Sequence, residues 1–389
     1  MQKNINTENT QNSHTATASA PQSAADANYL LPAKVIFDRI QKRAAEELPK
    51  LETPLDKPDN TLFYIDAYMN EEIKAFKSDK RTGFKTLDFL SGGLYSGLYC
   101  IAATSSLGKT TFALQLADNI AAAGHDVIYF SLEQSKLELV SKSISRRMYM
   151  QDKNASLTSL EIRKGILKTA AQTDNYNKAI NNYKSSIGSR LSIVEGGFDF
   201  NIDTIKAYIE QYTARNYKTP VIFIDYLQIL QPQKDARKLD TKSTVDTVIT
   251  ELAKLKREYN TTIFVISSVN RSNYLTPIDF ESLKESGNIE YTCDAIWGLQ
   301  FQCINDPLFL AKEKIQEKRT EINKARAATP RRIQLSCLKN RYGAGTFNCN
   351  FDYYPAADLF IDAGRSQSAD PENTIENKYN DDFFNTPII

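Results

Sequence analysis

The chain has 389 residues, 41% of them hydrophobic and 24% charged, enough to bury a sizeable core in one large or two ordinary domains. Its 48 Lys and Arg balance 47 Asp and Glu, so bulk charge does not advertise nucleic-acid binding and any such contact must come from a local basic patch. Five cysteines without a CxxC pair and only two histidines, His14 and His125, argue against a zinc site and a disulfide framework. The cysteines read as buried thiols. No apolar run is long enough to span a bilayer and the N-terminus lacks an apolar signal core, so the cytoplasm is the expected location.

Residues 1–30 are dominated by Asn, Gln, Thr, Ser and Ala and cannot bury enough surface to offset their ordering entropy; they are expected to be disordered. Residues 31–80 read as a helical linker or oligomerisation segment. Ile36, Ile40, Ala44 and Leu48 recur at helical spacing, and Leu62, Ile65, Met69, Ile73 and Phe76 make a second helical face beyond Pro49, Pro54 and Pro58. From Arg81 short apolar runs alternate with helical segments. Leu98–Ala103, Val127–Phe130, Leu191–Val194, Val221–Ile224, Thr262–Ser267 and Ala295–Leu299 are predicted strands, and helices are predicted near 111–123, 136–149, 202–214 and 243–259. This order predicts an α/β fold with a mostly parallel central sheet and helices on both faces. A charged helix near 307–326 and strands near 332–338 and 346–351 complete a domain over 81–363, and residues 364–389 read as a flexible acidic tail.

The first strand runs into Thr104-Ser105-Ser106-Leu107-Gly108-Lys109-Thr110 and then an Ala- and Leu-rich helix, the setting of a phosphate-binding loop. Backbone N–H groups from Ser106 to Thr111 at the helix start would face phosphate oxygens. Lys109 would reach the β and γ phosphates of a nucleotide and the Thr110 hydroxyl would hold Mg²⁺. The usual motif begins with Gly, and here that position is Ala103. Asp225 ends the apolar run Val221-Ile222-Phe223-Ile224, where ligands of open α/β sheets bind, and would complete the Mg²⁺ shell. Glu133, after Phe130-Ser131-Leu132, is either a base that polarises an attacking water or a helix N-terminal carboxylate favoured by the dipole.

These blocks, together with Thr82-Gly83-Phe84-Lys85-Thr86-Leu87-Asp88, Gly92-Gly93-Leu94, Tyr226-Leu227-Gln228, Lys284-Glu285-Ser286-Gly287-Asn288-Ile289-Glu290, Asp294 and Lys339-Asn340-Arg341, resemble the motor domain of DnaB-like replicative helicases, in that family's order, over about residues 81–361. That family also tends to carry Ala where other P-loops begin with Gly. The resemblance implies a RecA-like P-loop ATPase core that binds ATP and Mg²⁺. It makes Glu133 the catalytic base, and Lys339 and Arg341 the residues reaching a neighbouring subunit's γ-phosphate in a homohexameric ring. The alternative for Lys339 and Arg341 is a solvated charge pair near a turn. Two positions depart from the family pattern: Ser268 stands where a Gln sensor is usual, and Lys284 where Arg is usual.

Two loops are candidates for gripping single-stranded DNA or a forked duplex by its backbone. One carries Lys234, Arg237, Lys238 and Lys242 and could also be an ordinary solvated loop. The other runs into Lys284, Glu285 and Gly287. The resemblance further implies a primase or a helicase loader as protein partners. The segment before Arg81 is too short for the family's N-terminal collar, which suggests a phage, plasmid or mobile-element motor. The helix at Ala33–Leu48 could dock on a neighbouring motor or on its own. The rival to a helicase is a RecA-fold DNA-dependent ATPase that does not unwind, such as a recombination or loading factor. A third alternative is a degenerate interaction protein, opposed by the retained Lys109, Glu133, Asp225 and Arg341. The tail sequence Asp381-Asp382-Phe383-Phe384 is either a partner contact or a solvated end.

Overall fold

The computed structural model describes residues 78–365 except 79, 105, 198, 199, 217, 233–239, 271–273, 284–286 and 312. The expected helices at 33–48 and 62–76, the N-terminal segment and the tail beyond 365 lie outside the described residues.

After α1 (Lys85–Ser91) the chain alternates strand and helix: β1 (Gly97–Ala103), α2 (Lys109–Ala122), β2 (Val127–Ser131) and α3 (Lys136–Gln151). Two helices follow, α4 (Ser159–Arg163) and α5 (Ala170–Ser186), before β3 (Leu191–Glu195), α6 (Ile202–Asn216), β4 (Val221–Asp225), α7 (Thr241–Glu258) and β5 (Thr262–Ser268). Then come α8 (Gly287–Thr292), β6 (Ala295–Phe301), α9 (Pro307–Leu310), α10 (Ile315–Ala327), β7 (Arg331–Asn340), β8 (Phe347–Tyr354) and β9 (Leu359–Arg365). Among the described residues the strands form one nine-stranded sheet in the order β3-β2-β4-β5-β1-β6-β7-β8-β9. The pairings from β3 to β6 are parallel and those from β6 to β9 antiparallel. The mostly parallel α/β core is the one expected.

The central strands are apolar throughout because both faces are covered. Alternate side chains divide into two cores. Tyr99, Ile101, Tyr129, Phe223, Phe264 and Trp297 face the layer containing α2, with Phe112, Leu116 and Ile120. Leu98, Cys100, Ile128, Phe130, Ile222 and Val265 face α6 and α7, with Ile205, Ile209, Val248 and Leu252. Burying each large side chain contributes roughly 1.5–3 kcal/mol before entropy is subtracted.

Several elements differ from expectation. The single charged helix near 307–326 is two, α9 and α10. Pro307 opens the first, and buried Lys318 of the second donates to the Phe309 carbonyl at 2.9 Å, covering the break. The strand β9 was not anticipated, and the sheet therefore runs past 363 to Arg365. It follows a tight turn in which Asp358 takes φ 48, the left-handed region. Helices α4 and α5 were also unread. Their small core with α3 holds only Ile144, Met148, Leu157 and Ala179 fully buried, too sparse a stripe to show in sequence.

The Thr82–Asp88 block has a structural role. The Asp88 carboxylate accepts from the backbone N–H groups of Thr82 at 2.7 Å and Gly83 at 3.2 Å. Burial pushes its pKa up to about 6 against the pull of those bonds. Asn119 of α2 donates to the Thr82 carbonyl at 2.9 Å, and a Cβ on Gly83 would lie 2.6 Å from Asn119, so glycine is required there by contact as well as by its φ of 79.

Candidate active site

The register brings the C-terminal ends of four adjacent strands to one edge of the sheet: Ser131 pairs with Asp225, and Ala103 with Ser268 two residues further along. The candidate phosphate-binding loop leaves β1 at this edge. It closes on Gly108 at φ 89, where a Cβ would approach the Tyr353 ring to 3.0 Å and Phe360 to 3.2 Å. Those two rings stack at 4.2 Å and form a wall behind the loop. The Arg331 guanidinium lies over Tyr353 and donates to the Ser106 carbonyl at 3.3 Å.

Lys109 opens α2. Its ammonium donates to the Ala103 carbonyl at 3.2 Å and to Ser268 Oγ at 2.9 Å. Burial lowers its pKa, opposed by the charges of Asp225 and Glu133. Ser268, the shorter residue at the sensor position, therefore reaches the loop lysine directly. Next to it Ser267 Oγ accepts from Gln228 Nε2 at 2.9 Å, while the buried Gln228 Oε1 has no protein partner. The first-turn N–H groups of α2 have no intrahelical acceptor and are available to an anion. Leu107 and Thr111 have buried side chains and can offer a ligand only their backbone. The Thr111 hydroxyl bonds Asp358 at 3.2 Å, and Lys142 of α3 pairs with the same carboxylate at 2.8 Å.

Asp225 is 3% exposed. Burial raises its pKa, opposed by hydrogen bonds from the Thr110 and Tyr129 hydroxyls and by the charge of Lys109. Tyr129 of β2 donates to Asp225 Oδ2 at 2.9 Å from a fully buried position. Sequence reading missed it. The available signal was a phenol in the middle of a strand covered on both faces, where an O–H needs a partner. Among the described residues no cluster of three or more His, Cys, Asp or Glu could hold a metal. The pair Thr110 and Asp225 nonetheless suits Mg²⁺, which takes one or two protein oxygens and fills the rest of its shell with phosphate and water. Such a cation would also match a buried carboxylate short of counter-charge. Glu133 is exposed just beyond β2, near enough for its charge to act on both Lys109 and Asp225.

Lys339 and Arg341 are not brought to this site within the chain. Lys339 pairs with Ile296, which pairs with Cys100, toward the N-terminal edge of the parallel strands and away from the loop. Lys339 donates to the Glu290 and Tyr291 carbonyls at 2.6 and 3.3 Å, at the C-terminal end of α8. Arg341 pairs with Asp294 at 2.8 Å and donates to the Tyr291 carbonyl at 3.3 Å, its side chain half exposed. Burial opposes ionisation of Asp294, but Lys256, the Leu98 N–H and Arg341 outweigh it and hold the pKa below the usual carboxylate value. Of the residues expected to meet DNA, Lys242 is exposed in the first turn of α7 and Gly287 starts α8. Lys234, Arg237, Lys238, Lys284 and Glu285 lie outside the described residues.

The family model described as the DnaB-like helicase C terminal domain matches residues 80–351. The chain belongs to this family. The DnaB-like domain is 24% identical over 278 residues to the replicative DNA helicase DnaB of Haemophilus influenzae, covering 68% of this chain and 56% of that one. It is 27% identical over 221 residues to the DnaB of Geobacillus stearothermophilus, covering 55% and 45%, and 26% identical over 221 residues to a probable replicative DNA helicase of Trieres chinensis, covering 55% and 46%. The chain thus spans about half the length of the curated relatives it matches. Among solved structures, an isolated ATPase domain superposes with TM-score 0.62 at 20% identity, covering 78% of this chain and 99% of that one. A DnaB-like replicative helicase, solved in a study of its interactions with primase, superposes with TM-score 0.61 at 19% identity, covering 87% and 73%. The RecA-like fold expected for a DnaB-like domain is the fold observed.

Proposed function

We propose that this chain is an ATP-driven DNA helicase motor. It would act as a hexameric ring that moves along single-stranded DNA and parts the duplex ahead of it during replication of a bacterial, phage or mobile-element genome. The observation that carries the reading is the convergence of Lys109, Thr110, Asp225 and Ser268 at one edge of the sheet. This is the machinery of phosphoryl transfer rather than of binding alone.

In this reading the N–H groups from Ser106 to Thr111 cradle the triphosphate, and Lys109 leaves the Ala103 carbonyl for the β and γ oxygens. Thr110 and Asp225 would hold a Mg²⁺, which would supply charge neutralisation to the phosphates. Glu133 aligns the attacking water. Lys339 and Arg341 contribute charge to the γ-phosphate of the adjoining subunit. Ser268 reports the state of the nucleotide to the loop that follows β5, which with the loop after β4 tracks the DNA backbone. Residues 81–365 constitute the motor and the segment before it serves as linker.

The test is strand release from a forked duplex by the full chain and by Lys109→Ala, with ATP hydrolysis followed in parallel. The wild-type chain should hydrolyse ATP and release the strand, and the variant should do neither. Hydrolysis stimulated by DNA without any strand release would replace the helicase reading with a translocating or loading ATPase.

A further inference from the structure

Beside the nucleotide site lies a cavity of about 330 Å³ to which no step of the proposed cycle assigns a role. Leu299, Phe301 and Ile322 give it an apolar interior, while Arg319 and Arg326 of α10 stand at its rim. Positions seven apart share one helix face, so both guanidinium groups serve the same opening. Neither makes a hydrogen bond or ion pair among the described residues. The acids of the same helix are already matched: Glu317 pairs with Lys314 and Glu321 with Lys324. The cavity therefore combines an apolar interior with two cations that lack counter-charge among the described residues, a surface for an anionic group carrying an aromatic ring.

We propose that the occupant is the chain's own tail, with Phe383 and Phe384 in the cavity and Asp381 and Asp382 against Arg319 and Arg326. Three observations favour it. Residues 366–389 carry five acidic residues against the single Lys378, and Asp381-Asp382-Phe383-Phe384 sets two charges beside two rings. The tail also departs from the right edge of the sheet. Arg365 pairs with Cys349, Cys349 with Leu335, and Leu335 with the cavity residue Leu299. Three strand spacings separate the two ends of that row, about 14 Å. The residues from 366 to 380 reach about 50 Å when extended, so the span is easily met. Docking there places the tail against Thr104, the first residue after β1 in the phosphate-binding loop.

The experiment uses the full chain with Phe384→p-benzoylphenylalanine, irradiated and mapped by mass spectrometry, in a mixture of isotopically light and heavy chains. Crosslinks are expected within one chain, to peptides spanning 299–304 and 319–326. Arg319→Glu with Arg326→Glu should lower their yield at least fivefold, and adding Asp381→Lys with Asp382→Lys should restore it. Crosslinks to other surfaces, or only between light and heavy chains, would overturn the proposal. So would a charge-reversed chain that crosslinks as before while losing affinity for an oligothymidine, which would give the cavity to DNA. None of these readouts requires turnover, so they stand apart from the helicase test.

Discussion

Burial raises the pKa of Asp225, and two hydroxyls and one ammonium oppose that rise. In the proposed function Thr110 and Lys109 also meet the nucleotide, which leaves Tyr129 as the support behind the carboxylate. A single hydrogen bond of this kind contributes about 0.5–1.5 kcal/mol, a factor of roughly two to ten in rate if felt fully at the transition state. Tyr129→Phe should therefore lower kcat for ATP by that factor while metal-free nucleotide affinity stays unchanged, because the phenol lies behind the carboxylate. Steady-state hydrolysis and a fluorescent-nucleotide titration separate the two quantities, and an unaltered kcat would deny Tyr129 a positioning role. Lys109, Thr110 and Asp225 were legible in sequence because a strand, a glycine turn and a helix start are local features. Tyr129 and Asp358 were not, since their partners lie 96 and 247 residues away along the chain and only the sheet brings them together.

Helices α2 and α3 are joined by a pair that is costly to break. Arg146 donates to Asp118 at 2.6 Å and to the Asp358 carbonyl at 2.7 Å, with both charged side chains 4% exposed. It thereby links the helix that carries Lys109 and Thr110 to the turn before β9. Removing one partner leaves the other charge buried alone, a loss of about 3–5 kcal/mol. Arg146→Met should show that loss in urea unfolding, whereas Arg146→Met combined with Asp118→Leu should recover much of it; equal stability of the single variant and the wild-type chain would refute the assignment. The central strands were readable as elements because covering both faces demands continuous apolar runs. Strand β9 was not. Only Leu359 and Phe360 of its described residues are buried, those at 361–364 being exposed or half-buried, and its start depends on the left-handed turn at Asp358. Helix α5 stayed hidden because only Asn175 and Ala179 are fully buried along its length.

At the scale of the molecule, the sheet itself separates the proposed phosphate site from the proposed finger residues. Lys109 lies at the C-terminal edge of the parallel strands, Lys339 and Arg341 toward the N-terminal edge, so a chain cannot bring its own arginine to its own phosphate without dismantling β7. Arg341 is pre-aimed instead, its guanidinium fixed by Asp294 and the Tyr291 carbonyl with half its side chain exposed. If it serves a neighbour, two dead variants should repair one another. Lys109→Ala leaves a subunit with an intact finger and Arg341→Ala leaves one with an intact loop. In a ring assembled at random from equal parts, about a quarter of the seams join an intact loop to an intact finger, and hydrolysis should return toward that fraction of the wild-type rate. Each variant alone should be inactive, with Arg341→Ala still binding nucleotide. Should the mixture hydrolyse no faster than its two components measured separately, although the subunits demonstrably co-assemble, Arg341 would have to act within its own chain or not at all.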